Sequence, residues 1–209
     1  MSRLYITPSL DSAATIGGID EAGRGPLAGA VVAAIVIFAY GQSIEGLRDS
    51  KLMSASQRER VAERIRSEAL AWALGRADAQ EIDAINILNA TFRAMQRAVS
   101  CLDPRLHPVE IRVDGNRAPD FPGFGGPVLT IVGGDQLCPA ISAASVLAKV
   151  ARDEEMQVLH AEYPEYGFAR HKGYPTADHR AVLRRLGPCV AHRRSFRPVR
   201  EALDERSVK

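Results

Sequence analysis

Two adjacent acids, Asp20 and Glu21, interrupt an apolar run in GGIDEAGRGPLAGAVVAA, and two more, Asp114 in VDGN and Asp135 in GGD, each follow a short apolar stretch. Neighbouring side chains of a strand point to opposite faces, so an Asp-Glu pair puts a charge on each and needs compensation. In open α/β sheets ligands gather at strand ends, where carboxylates far apart in sequence can converge. Held together, such acids repel and raise one another's pKa, a strain that a divalent cation removes. All-oxygen coordination suits magnesium or manganese. Two such ions about 4 Å apart can activate a water and stabilise a leaving oxygen in phosphoryl transfer. Taken singly, each acid reads equally as a turn residue or a helix cap. Three strands ending alike, one of them beside GRG, bring the metal site level with that plainer reading.

Further residues fit the same chemistry, each with a plainer alternative. Gly23, Arg24 and Gly25 offer bare backbone that a ligand can approach closely, or simply a tight hairpin turn. Ser50 and Lys51 in DSKLMS suit a phosphate, or a solvated loop. Tyr174 in KGYPT stands near a cation and suits stacking on a sugar or base, or packing inside a turn. The five histidines show no metal-ligand spacing, and none is assigned to catalysis. Three cysteines, odd in number and far apart, argue against a disulfide framework and a zinc site.

These residues need a scaffold, and the pattern supplies an α/β one. Ile16 to Ile19 and Val31 to Phe38 are β-branched runs joined by a glycine-rich turn, which predicts antiparallel neighbours. Ser54 with Gln57 forms a capping-box pattern before a mostly solvated helix, and AWALGRA follows as a third strand. Ile82, Ile85, Leu88, Phe92 and Met95 fall at helical spacing. VEIRVD and PVLTIVGGD predict strands that each end in an acid, and a long helix begins at Pro139. The 209 residues suit a catalytic unit over 1–163 and a small helical region over 164–209. Net charge is only +2, yet Pro164 to Arg200 holds nine Lys or Arg against two acids, so a basic partner surface is expected there. No apolar run reaches the roughly 20 residues of a membrane span. The opening segment lacks a signal peptide's apolar core, and a cytoplasmic location is expected.

Taken together, GIDEAGRGPLAG, DSKLMS, VDGN, GGD with ISAASVLAKVARD, YGFARHKGYPTADH and HRRSFRPV resemble bacterial ribonuclease HII, in order and spacing, from about Ile16 to Val199. The resemblance implies a ribonuclease H-like mixed sheet flanked by helices, with a small helical C-terminal region. It implies metal ligation by Asp20, Glu21, Asp114 and Asp135, 2′-hydroxyl recognition by the backbone of Gly23, Arg24 and Gly25, phosphate contact near Ser50 and Lys51, and a sugar-packing role for Tyr174. The implied cofactor is Mg2+ or Mn2+, and the implied partners are RNA/DNA hybrid and DNA duplex containing ribonucleotides; a monomer is expected. Implied cleavage falls 5′ of a ribonucleotide and leaves a 3′-hydroxyl and a 5′-phosphate. Two departures stand out: Gly133 where many members have lysine, and Ala30 in place of a frequent proline. A different nuclease of the same superfamily would cut substrates lacking any ribonucleotide. A non-enzymatic nucleic-acid binding module would bind without regard to divalent metal and release no product.

Overall fold

The computed structural model describes residues 15–47 and 53–207. Strands β1 (Thr15–Ala22) and β2 (Val31–Ala39) form the expected antiparallel pair, with Ile19 opposite Ile35. β3 (Ala71–Ala77) joins β2 antiparallel, β4 (Glu110–Asp114) joins β1 parallel, and β5 (Val128–Ile131) joins β4 parallel. The mixed sheet therefore runs β3-β2-β1-β4-β5. β2 lies inside it with both faces covered, which explains why VVAAIVIFA shows no polar alternation.

Helix α1 (Ala55–Glu68) starts at the predicted capping box, where Ser54 Oγ accepts from the Gln57 N–H and Gln57 Oε1 accepts from the Ser54 N–H at 2.8 Å. Helix α2 (Ala79–Ser100) starts the same way from Asp78 and Glu81. The unbroken periodicity of this segment predicts one continuous helix, but Asn86 takes a left-handed φ of 66° and breaks it. The Asn86 side chain then accepts from the Asn89 N–H at 3.1 Å and caps the second half. After β5 the chain makes a single helical turn, α3 (Gly134–Leu137), and enters the long α4 (Pro139–Glu162). The expected third acid-tipped strand is thus shorter than its sequence suggests. It stops at Ile131, and Gly133, at a left-handed φ of 68°, turns Asp135 into α3.

α2 and α4 cover opposite faces of the sheet. Ile82, Ala94 and Met95 pack with Ile19, Ile35 and Ile111 on one side, and Ile141 and Leu147 pack with Ala34, Val36 and Phe38 on the other. The contact of α4 with β1 depends on Gly18, where a Cβ would overlap the backbone of Ala140 and Ile141. This close approach carries the next turns of α4 over the acidic end of β1. The C-terminal region adds α5 (Phe168–His171), α6 (Ala177–Leu186) and α7 (Arg197–Ser207). Among the described residues no helix is long and apolar enough to cross a membrane.

Gly18→Ala should force α4 off the sheet and lower stability by about 3 kcal/mol, at the upper end of typical overpacking costs. Equilibrium urea unfolding checks this, and an unchanged midpoint would refute the close approach.

Candidate active site

β1 and β4 run parallel with Ile19 beside Val113, so the next residues of each strand, Asp20 and Asp114, come level at the same end of the sheet. Alternation turns Asp20 toward α4, where Ser145 hydrogen-bonds its carboxylate, and sends Glu21 to the other face. Because β1 ends at Ala22, both side chains still line one cleft of about 290 Å³, together with Asp114, Gly23, Arg24, Gly25, Ser145, Lys149, Arg152 and Tyr174. A larger hollow of about 400 Å³ behind the 23–30 loop is mainly apolar. The smaller, acid-lined cleft is the one with chemistry in it.

The acids are electrostatically strained. Burial first, then the charge of Glu21 and more weakly that of Asp114, pushes the Asp20 carboxyl up to about 8. Burial also raises Glu21, offset by Arg24, whose Nη1 lies 3.2 Å from Glu21 Oε1. Asp114 accepts from the Gly134 N–H at 2.8 Å, which ties the start of α3 to the end of β4. Asp135 is buried in α3 and does not line the cleft. Among the described residues, no three His, Cys, Asp or Glu side chains stand close enough to form a ready-made metal cage. Ser50 and Lys51 lie outside the described residues.

The 23–30 loop is held by two buried arginines that sequence reasoning did not single out for this task. Arg193, fully buried, donates to the carbonyls of Gly23 at 2.6 Å, Pro26 at 2.7 Å, Gly29 at 2.9 Å, Arg24 at 3.0 Å and Ala30 at 3.2 Å. Arg152 donates to the carbonyls of Ala28, Ala30 and Lys172 at 3.1 to 3.2 Å. Burial, and then Arg152, lowers the Arg193 pKa to about 9. Backbone pairing completes the clamp, with the Leu27 N–H on Gly173 O and the Arg193 N–H on Leu27 O, each at 2.8 Å. Arg193 belongs to the basic stretch read as a nucleic-acid surface, yet its guanidinium faces inward. Arg180, Arg184, Arg185, Arg194, Arg197 and Arg200 of the same stretch are exposed.

The two glycines of GRG differ in kind. Gly23, at φ 99°, would drive a Cβ into Arg152, so packing alone demands glycine there. At Gly25 a Cβ would meet only Tyr174 Cε1 at 3.7 Å, an ordinary contact. The fold therefore leaves Gly25 free to vary, and its open side faces the cleft. Tyr174 stands across it, about half exposed.

A mixed sheet of this order, covered by α2 and α4 and carrying acids at the ends of its central strands, defines a ribonuclease H-like nuclease fold. The ribonuclease H2 from Pyrococcus horikoshii OT3 matches with a TM-score of 0.75 at 26% identity, covering 93% of this chain and 99% of that one. Bst-RNase HIII, solved in complex with Mn2+, shares the fold with a TM-score of 0.71 at 18% identity, over 94% of this chain and 71% of its own. The ribonuclease HII family model matches residues 17–199, and ribonuclease HII of Halorhodospira halophila is 56% identical over 198 residues, covering 95% of this chain and 99% of the relative. The chain belongs to the ribonuclease HII family, and is a hydrolytic endonuclease of ribonuclease H type 2. That membership sets aside the non-enzymatic binding module.

The Asp20 shift sets a pH dependence in metal-free protein. The folded state keeps the Asp20 proton up to about 8, whereas an unfolded chain releases it near 3.8. The resulting stability is present in full below the lower value and is lost as pH rises through the upper one. In a chelator, the melting temperature of the wild type should fall between about pH 4 and 8, and Asp20→Asn should flatten that fall. Parallel profiles for the two proteins would contradict the assignment.

Proposed function

We propose that this enzyme incises the RNA-containing strand 5′ of a ribonucleotide, in RNA/DNA hybrid and in DNA duplex with embedded ribonucleotides, leaving a 3′-hydroxyl and a 5′-phosphate. The observation that carries this reading is the sharing of one cleft by Asp20, Glu21, Asp114, the open backbone at Gly25 and the ring of Tyr174. Acids do the chemistry at one side, and ribose recognition sits opposite.

Asp20, Glu21 and Asp114 would hold Mg2+ or Mn2+, and Asp135, outside the cleft lining, would reach the set from α3, whose Gly134 N–H already holds Asp114. Hard oxygen donors and a carboxyl raised to about 8 support this, because a cation restores the ionised form that burial opposes. No closed protein cage is needed, since magnesium keeps waters and takes phosphate oxygens from its substrate. When bound, one or two such ions neutralise charge on the scissile phosphate and supply an activated water. The chain's own residues do the rest. Ser145 orients Asp20, and the Gly134 N–H orients Asp114. The Gly23–Gly25 backbone meets the 2′-hydroxyl, the one sugar group that separates RNA from DNA. Tyr174 packs on the adjoining deoxyribose, Ser50 and Lys51 contact phosphate, and the exposed arginines of the 164–209 region hold the duplex. The enzyme acts as a cytoplasmic monomer that clears ribonucleotides from replicated DNA.

Two variants test this on matched duplexes carrying one, several or no ribonucleotides. Asp114→Asn should bind normally and lose turnover by about 100-fold or more, as an ion loosened from its oriented ligands misplaces the water. Gly25→Ala should melt like the wild type yet lose cleavage of both ribonucleotide-containing duplexes, because its methyl occupies only ligand space. Full activity of either variant, or cutting of all-DNA duplex by the wild type, would defeat the proposal.

A further inference from the structure

We propose that His179 is a positioning residue for Tyr174, acting at the end of a chain of neutral histidines that links the 23–30 loop to the Tyr174 carbonyl. The proposal rests on the role given to Tyr174 above. Three of the five histidines, scattered in sequence, meet beneath that residue: His171 stacks on His179 with centroids 4.3 Å apart and planes at 13°, and His179 Nε2 lies 3.1 Å from His192 Nε2. All three are buried, and Phe168 packs edge-on against His179.

The backbone fixes every proton in this group. The Cys189 N–H donates to His192 Nδ1 at 3.1 Å, and a nitrogen that accepts carries no hydrogen. Neutral His192 is therefore protonated on Nε2 and donates to His179 Nε2. That leaves the His179 proton on Nδ1, which donates to the Tyr174 carbonyl at 2.9 Å. His171 is set independently: its Nδ1 accepts from the Gly173 N–H at 3.2 Å, so its Nε2 donates to the Tyr166 carbonyl at 2.7 Å. Burial keeps the rings neutral, with His179 lowered to about 4 and His192 to about 3. One tautomer satisfies each ring.

The other end of the chain reaches the ribose-reading loop. His192 forms a β-bridge with Ala28, so the residue that starts the relay is itself paired with the 23–30 loop. The relay thus spans the cleft's two recognition elements, Gly25 on one side and Tyr174 on the other. A displacement of about 1 Å at such a contact costs roughly 100-fold in rate. Ordinary core filling would need no polar chain here. Apolar side chains would pack the space but would take the His179 donor from the Tyr174 carbonyl, leaving it only the Thr176 N–H at 2.8 Å.

A double-mutant cycle separates positioning from packing. His179→Leu removes the donor, whereas His179→Asn keeps an N–H near the Nδ1 position. On duplex with one ribonucleotide, His179→Leu should lower kcat/KM by about 10-fold or more, and His179→Asn should recover most of that loss. In a Tyr174→Ala background His179→Leu should cost nothing further. A loss that persists undiminished in that background, or equal losses for Leu and Asn, overturns the relay. If Tyr174→Ala alone leaves cleavage unchanged, the role of Tyr174 fails first, and the proposal with it. Should the leucine variant not fold, long-range 1H–15N spectra of the wild type decide the matter: His179 must be protonated on Nδ1 and His192 on Nε2, and any other pattern overturns the proposal.

Discussion

A guanidinium group without a carboxylate partner among its hydrogen bonds organises the 23–30 loop beside the acid-lined cleft. Arg193 is fully buried and satisfied by carbonyls of one loop, with Asp83 acting on it only through its charge. Burying a charge is costly unless its hydrogen-bonding capacity is filled. The planar fork of arginine can do this where a lysine ammonium cannot. The loop in turn has no regular structure of its own that could fix five carbonyls. Each supplies what the other lacks, and the GRG backbone owes its shape to a residue about 170 positions away.

The acidic side works by a different compromise. Asp20 sits where neither its neighbours nor its surroundings favour a charge, and the sheet tolerates it because Ser145, delivered by the close seat of α4 on Gly18, hydrogen-bonds the carboxylate. The strain is local, confined to the end of β1 and β4. A cation held there, as proposed above, would relieve it. The same helix contributes Ser145 and Arg152, so α4 braces both halves of the cleft.

Local patterns made much of this legible before any coordinates. The β-branched runs, the capping box at Ser54 and Pro139 at the start of α4 all act over a few residues, and the elements follow them. Asp20, Glu21 and Asp114 could be picked out because acids after apolar strands are conspicuous. What stayed hidden depends on tertiary contact. Arg193 and Arg194 are adjacent and chemically identical, yet one is buried and the other exposed, and no periodicity distinguishes them. The histidines, at 171, 179 and 192, fit neither a helix nor a metal motif; only the packing of α5, α6 and the 189–192 turn brings them together. The break at Asn86 likewise lies within an apolar pattern that continues across it.

The clamp on the 23–30 loop has a consequence for the order of events during synthesis. The loop is made well before the arginine and backbone partners that hold it, which stand at positions 152, 173 and 191–193. Contacts of such high sequence separation form late. A nascent chain can pair β1 with β2 while the loop between them is still unsettled. Until Arg193 has been made and folded in, the 23–30 loop lacks most of the donors that set its carbonyls.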